Sequence, residues 1–278
     1  MPLANKSFGE GTPVLFVHGW ELDSAYDIAE FEPIFSKLTG YRRIYFDLPG
    51  MGKTPADEAI VDMESIYARV VAFIEEHISP ASFILIGTSL GGYLARALAT
   101  QFEPQILGLH LKVPVIEPDD RRRDLDVFKP VVQNEASMGL IPNGQLRSIG
   151  NVLVQTPAYI SMLVAKMTSI VVPSEASANS AVLDPIRADP RRYSLDLIES
   201  RREASFNKPT LIITGRHDDV VGYRDSLRLL ELYPRATFVA LDRGIHLLPI
   251  DEGHLVQALV LDWLRRVEES SNRAVTMS

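Results

Sequence analysis

Gly87-Thr88-Ser89-Leu90-Gly91 sets a serine between two glycines, directly after the apolar run Phe83-Ile84-Leu85-Ile86 and directly before Tyr93-Leu94-Ala95-Arg96-Ala97-Leu98-Ala99. A strand that feeds a helix through so sharp a turn holds its central residue in a strained conformation. The side chain then stands exposed above the sheet, and only small neighbours such as those at 87 and 91 leave room. Ser89 is the candidate nucleophile of the chain, and its chemistry would be attack on a carbonyl. A serine hydroxyl reacts poorly at neutral pH, so it needs a base within hydrogen-bond reach, and the base needs an acceptor on its other nitrogen.

Six histidines are available. His77 lies near the polar end of a helical stretch, His110 inside an apolar strand, and His254 at the start of the last helix; these read as structural or exposed. His246 follows the strand-like run Thr237 to Leu241 in the loop Asp242-Arg243-Gly244-Ile245-His246-Leu247-Leu248-Pro249. The ends of parallel strands are where such sheets build sites, which makes His246 the expected base. For the acid, Leu211-Ile212-Ile213-Thr214 runs into Gly215-Arg216-His217-Asp218-Asp219, so Asp218 is favoured with Asp219 its close competitor. A different arrangement would use Glu117 or Asp119, just beyond the run ending at Val113. An acyl-transfer site also needs donors for the oxyanion. The N–H of Leu90, opening the helix after Ser89, is one, and the N–H of Trp20 in His18-Gly19-Trp20 is the other, with His18 organising that loop. His217 beside two aspartates hints at a metal, but no further ligands recur at a useful spacing, so neither metal nor organic cofactor is expected.

Short β-branched and aromatic runs alternate with stretches of helical period, the mark of a parallel sheet covered by helices. The runs are 14–17, 43–46, 83–86, 107–113, 211–213 and 237–241. Between the second and third, Ile60, Met63, Tyr67, Val70, Val71, Ile74 and Ile78 form one apolar stripe, and helices also fit 90–102, 224–232 and 255–267. From about Val115 to Asn207, prolines punctuate stretches that read as helix with no strand. Such a block between two sheet strands is expected to be a helical lid over the strand ends. It carries Met138, Leu140, Ile141, Val152, Leu153, Tyr159, Ile160, Met162, Leu163, Met167 and Ile170, which either line an apolar pocket near Ser89 or form the block's own core. Its Arg121-Arg122-Arg123, Arg191-Arg192 and Arg201-Arg202 sit beside acidic residues and read as a solvated charged surface.

Taken together, His18-Gly19-Trp20, Asp47-Leu48-Pro49-Gly50-Met51-Gly52, Gly87-Thr88-Ser89-Leu90-Gly91-Gly92, Gly215-Arg216-His217-Asp218 and His246 make the chain resemble the α/β-hydrolase superfamily, in its serine-nucleophile, lidded branch. The resemblance covers nearly the whole length and keeps the family's order of serine, acid and histidine. It implies an α/β fold with a mostly parallel, eight-stranded sheet flanked by helices and an inserted helical lid after the sixth strand. The corresponding division is a core of 1–114 and 207–278 and a lid of 115–206. Two departures are visible: only 12 residues precede Pro13, which leaves little chain for the family's first two strands, and Ile245 stands where a glycine usually precedes the histidine.

The expected activity is a serine hydrolase cleaving an ester or related acyl bond of a small, largely apolar molecule, through Ser89, His246 and Asp218 and an acyl-enzyme. Serine at position 89 argues against the family's aspartate-dependent dehalogenases and epoxide hydrolases, and Asp47-Leu48-Pro49-Gly50 departs from the proline iminopeptidase pattern. Trp20 narrows the space by the carbonyl, which favours a slim acyl group. Because fold does not settle reaction type, the alternatives are carbon–carbon bond hydrolysis, a lyase or isomerase acting on a specialised metabolite, or a small-molecule binding protein. A nucleotide-binding reading of Gly50-Met51-Gly52-Lys53-Thr54 fails, since a phosphate-binding loop would need glycine at position 47, where Asp47 stands, and a helix N-terminus immediately after.

Composition narrows the partners. With 28 Lys+Arg against 36 Asp+Glu, the chain is acidic overall, which disfavours the capture of phosphate backbones, so nucleic acid is not an expected partner. Absence of cysteine removes disulfides, thiolate metal sites and cysteine nucleophiles together. No apolar run nears the roughly 18 residues that span a bilayer, and the first residues lack a secretory leader's apolar segment. The expectation is a cytoplasmic protein, monomer or homodimer, that meets a small acyl substrate and no membrane; Asn5-Lys6-Ser7 is read as a chance sequon.

Overall fold

The computed structural model describes residues 2–142, 149–200 and 203–276, with side chains as far as residue 271. Seven strands form a single sheet: β1 (Asn5–Phe8), β2 (Thr12–Val17), β3 (Tyr41–Phe46), β4 (Phe83–Thr88), β5 (Ile106–Lys112), β6 (Thr210–Gly215) and β7 (Ala236–Leu241). Their spatial order is β1-β3-β2-β4-β5-β6-β7. Only β1 runs antiparallel to its neighbour; the remaining pairs are parallel. The six strands expected from the apolar runs are all present. Polar, exposed β1 shows no alternation of side-chain character and is the strand that sequence reasoning misses.

Among the described residues the sheet has seven strands rather than the eight that the resemblance implies, with one strand, β1, before Thr12. The long insertion accordingly follows the fifth strand, not the sixth. Helices α1 (Ser24–Phe35), α2 (Met63–His77), α3 (Leu90–Gln101) and α6 (Gly253–Thr276) cover the sheet, and α4 (Pro157–Lys166) and α5 (Ser180–Ala188) belong to the insertion. Asp62 caps α2 by accepting from the Ser65 N–H at 2.8 Å, while the Ser65 side chain answers the Asp62 N–H at 3.1 Å, a reciprocal cap that fixes where the helix begins. Helix α1 was not expected. Its buried Tyr26, Phe31, Ile34 and Phe35 are unevenly spaced and Pro33 lies within it, so it presents a weak periodic signal. The expected helix 224–232 is instead two short turns, 224–227 and 229–232.

Two apolar clusters organise the interior. The larger fills both faces of the sheet, where β2, β4, β5 and β6 are buried almost throughout, as parallel strands covered on both sides must be. The smaller belongs to the insertion: Ile141, Val152, Leu153, Tyr159, Ile160, Leu163 and Met167 pack together with Tyr26 and Ile245 of the sheet domain. Of the apolar residues expected in this block, most therefore form its own core, while Leu140 and Met162 are exposed. Among the described residues the insertion holds no strand, only an isolated bridge between Val132 and Val154, and no helix is long and apolar enough to cross a membrane.

Candidate active site

Ser89 sits at the junction of β4 and α3 with φ +55° and ψ −114°. That conformation strains a residue with a side chain, and the packing around it leaves no slack. A Cβ on Gly91 would lie 1.8 Å from the Val17 carbonyl oxygen, and one on Gly87 would lie 2.3 Å from the Gly91 carbonyl oxygen. These approaches are the physical content of the two small residues flanking the serine. The turn is tied down further by the Ser89 N–H donating to the Lys112 carbonyl at 2.9 Å and by the Ser89 carbonyl accepting from Val115 at 3.0 Å.

Three distant stretches converge here. The Ser89 Oγ lies 3.0 Å from Nε2 of His246, and Nδ1 of the same ring lies 2.9 Å from Oδ2 of Asp218. With a fully ionised acid at one end, the consistent arrangement has Nδ1–H donating to Asp218 and Nε2 accepting from the serine hydroxyl. The other oxygen of Asp218 accepts from the N–H groups of Val220 and Val221, each at 2.9 Å. Burial opposes the charge on Asp218, but His246 and those two N–H donors outweigh it, and the carboxyl is held below the ordinary carboxylate range. The side chain of Asp218 is entirely buried and that of His246 is 18% exposed: the carboxylate is sealed, and the imidazole stays within reach of solvent.

Asp219 points elsewhere, accepting from Nδ2 of Asn151 at 2.6 Å. Glu117 and Asp119, the other acids considered, pair with Arg122 at 3.3 Å and Arg121 at 2.8 Å. Ile245 is buried, and the tight approach in this loop falls one residue earlier: a Cβ on Gly244 would meet Gly215 Cα at 2.7 Å. The small residue that lets the histidine loop close on β6 is thus Gly244.

The His18-Gly19-Trp20 loop flanks the serine, since a Cβ on Gly19 would lie 3.3 Å from that of Ser89. His18 is fully buried. Its Nδ1–H donates to the Gly19 carbonyl at 2.8 Å and its Nε2 accepts from the Leu48 N–H at 2.9 Å. Burial pushes its pKa down against the Gly19 carbonyl and the charges of Asp47 and Asp23, and with Nε2 accepting from Leu48 the ring is a neutral brace between two loops. The Trp20 ring meets Tyr193 of the insertion edge to face at 5.1 Å. The Leu90 N–H opens α3, where no carbonyl four residues earlier belongs to the helix.

His77 and His254 are exposed and His110 is fully buried in β5. The 50–54 segment is a turn closed on Asp47, whose two oxygens accept from the Ser24 and Lys53 N–H groups at 2.8 Å each; the N–H groups of Gly50, Met51 and Thr54 are taken by the Thr54, Leu48 and Met51 carbonyls, which is a closed turn and not a phosphate cradle. No group of three or more metal-ligating side chains occurs among the described residues. Several arginines of the insertion pair with neighbouring carboxylates, Arg187 with Asp120 at 3.0 Å and Arg191 with Asp189 at 3.2 Å, but Arg123 is half-buried rather than solvated and donates to the Glu117 and Val220 carbonyls at 2.9 Å each. Arg201 and Arg202 lie outside the described residues.

Comparison with known proteins agrees with this architecture. The family profile of the alpha/beta hydrolase fold matches residues 12–253. The chain belongs to the alpha/beta hydrolase family. The crystal structure of an alpha/beta superfamily hydrolase from Oenococcus oeni PSU-1 is similar with a TM-score of 0.81 and 29% identity, covering 95% of this alpha/beta hydrolase and 96% of that one. A pimeloyl-[acyl-carrier protein] methyl ester esterase from Legionella pneumophila (strain Corby) is 25% identical over 247 residues, 86% of this chain and 90% of that protein. A protein of the same name from Shewanella woodyi is 35% identical, but over 105 residues only, 37% of this chain and 36% of the relative.

Proposed function

We propose that this alpha/beta hydrolase is a serine esterase that cleaves a small, largely apolar ester or related acyl compound through an acyl-enzyme. The observation that carries the proposal is the unbroken line from Ser89 Oγ to His246 Nε2 at 3.0 Å and from His246 Nδ1 to Asp218 Oδ2 at 2.9 Å, built on a serine in a strained, pre-formed turn. Ser89 attacks the carbonyl, His246 takes its proton and returns it to the leaving group, and Asp218 holds the imidazolium. The N–H groups of Leu90 and Trp20 stabilise the tetrahedral oxygen. Water then attacks the acyl-enzyme with His246 again as base. The ester esterase relatives support the reaction class. The edge-to-face packing of Trp20 on Tyr193 narrows the approach to Ser89 and favours a slim acyl group. In this proposal residues 115–206 act as a lid over a core of 1–114 and 207–278, and the enzyme works in the cytoplasm on a free small molecule, as a monomer or homodimer, without cofactor.

The test is covalent labelling with a fluorophosphonate together with hydrolysis of a series of nitrophenyl and methyl esters of increasing chain length. Labelling and hydrolysis that both disappear in Ser89→Ala are expected. A folded wild-type protein that neither labels nor hydrolyses any ester overturns the proposal.

A further inference from the structure

Behind the candidate active site lies a buried group of ions that the reaction scheme does not use. Lys112 ends β5 with its side chain 1% exposed, and it pairs with Glu30 of α1, which is 11% exposed, at 3.0 Å. The other oxygen of Glu30 lies 2.5 Å from Nζ of Lys166, the last residue of α4, whose side chain is 10% exposed. Lys166 also donates to the Leu247 carbonyl at 2.7 Å and to the Pro249 carbonyl at 3.3 Å. An ammonium has three N–H donors and no acceptor, so Glu30, Leu247 and Pro249 use all of them. Leu247 is the residue after His246, and the Leu248 N–H closes the turn onto the Ile245 carbonyl at 3.0 Å. At the other end of the chain of contacts, the Lys112 carbonyl accepts the Ser89 N–H at 2.9 Å.

We propose that Lys166 is a positioning residue, which clamps the backbone after His246 from the insertion and thereby holds the base in register with Ser89. The inference rests on the serine hydrolase reading above. A line of buried contacts joins the nucleophile's backbone, Lys112, Glu30, Lys166 and the loop of the base, so the insertion is part of the machinery that aligns the two reacting side chains. Stability is a poor reason for this arrangement. Removing charges from water costs about as much as a buried ion pair returns, and an apolar filling would serve as well. Alignment is a better one, because a misplacement of about 1 Å between reacting groups can cost on the order of 100-fold in rate.

Proton loss from Lys166 would remove one of the three bonds. Burial brings its pKa down to about 8, against the raising influence of Glu30. The charged and titratable groups facing it are Tyr26 and Glu30 of α1 and Lys112 of β5, with Asp27 of α1 one step further on beside Lys112. Asp27, raised to about 7 by burial, titrates inside the range of the test but below Lys166, so its effect falls on the acid side of the alkaline loss.

The experiment follows the rate of fluorophosphonate labelling of Ser89 from pH 6 to pH 10 in wild type, Lys166→Met and Lys166→Gln, with folding checked by circular dichroism. The wild type is expected to lose reactivity as the pH rises past about 8. Lys166→Met is expected to label roughly 10- to 100-fold more slowly at neutral pH and to lack the alkaline fall. If Lys166→Met does not fold, Lys166→Gln, whose amide still fills the site and donates to a carbonyl, carries the same comparison. A folded Lys166→Met protein that labels at the wild-type rate overturns the positioning role, and so does either variant with the alkaline fall intact. A wild type that does not label at all overturns the hydrolase reading itself, which separates the two failures.

Discussion

Nε2 of His246 and Oγ of Ser89 lie 3.0 Å apart although 157 positions separate them in the chain. The relationship is made by two loops on different strands, one strained and one clamped. If it is the reacting pair, Ser89→Ala and His246→Ala each lower ester turnover by roughly two orders of magnitude or more while leaving the melting temperature near wild type. Steady-state kinetics beside thermal melts measures both; full activity in His246→Ala would transfer the base to another histidine.

Asp218 and Asp219 are adjacent in sequence and opposite in surroundings, one accepting from His246 and two backbone N–H groups, the other bonded to Asn151. Asp218→Asn should reduce kcat by roughly two to four orders of magnitude, because an amide presents the wrong partner to Nδ1–H. Asp219→Asn should leave kcat within about twofold of wild type. Equal losses in the two variants would remove the assignment of the acid.

The packing around the serine turn gives a sharp contrast among glycines. Gly91→Ala brings a Cβ within 1.8 Å of the Val17 carbonyl, whereas Gly253 has nothing within 4 Å. Overpacking typically costs about 1–3 kcal/mol, more where backbone cannot move, so Gly91→Ala is expected to lower the urea midpoint clearly or to prevent folding. Gly253→Ala is expected to stay within about 0.5 kcal/mol. A Gly91→Ala protein as stable as wild type would mean that the turn is looser than its contacts indicate.

Arg96 of α3 and Glu203 at the end of the insertion form a buried pair at 2.7 Å, with side chains 5% and 6% exposed, and Tyr233 donates to the same carboxylate at 2.6 Å. Arg96→Met leaves Glu203 buried without its counter-ion and is expected to cost about 3–5 kcal/mol. The double variant Arg96→Met with Glu203→Leu should recover much of that loss. Urea denaturation of the single and double variants decides it: a double variant no better than the single shows that the charge was not the source of the cost.

Two buried groups should make opposite contributions to the pH dependence of stability. Burial lowers His110 to about 4, so between pH 6.5 and 4 the unfolded chain binds a proton that the native state refuses, and this contribution is lost as pH falls. Burial raises Asp27 to about 7, so between its unfolded value of 3.8 and 7 the native state holds the extra proton, and that contribution is lost as pH rises. In the shared window the two slopes oppose each other, each about 1.4 kcal/mol per pH unit at most. Relative to wild type, His110→Leu should lose stability faster as pH rises, and Asp27→Asn should lose it faster as pH falls. Chemical denaturation at several pH values reads both slopes; a variant slope identical to wild type would discard that group's shift.

Much of this protein is legible in one dimension. The apolar runs that become β2 to β7 are continuous because both faces of a parallel sheet are covered, and the glycines around Ser89 are visible because a strand-to-helix turn admits nothing larger. Ser89, His246 and Asp218, which the structure brings together, could each be nominated as candidates from their place after a strand, since a parallel sheet delivers its strand ends to the same edge. Local pattern fails where the information is not local. β1 takes its order from pairing with β3 rather than from its own side chains, and α1 forms on the face it finds against the sheet despite Pro33. Asp218 is separated from Asp219 only when one carboxylate is turned toward His246 and sealed from water. Lys166 carries no sequence signal at all, because a lysine at a helix end looks like any solvated cation until folding closes Glu30 and two carbonyls around it. Sequence determines which elements form and which chemical groups reach the strand ends. Tertiary structure decides which of them touch and which lose their water, because burial and hydrogen-bond partners are properties of residues that meet across the fold.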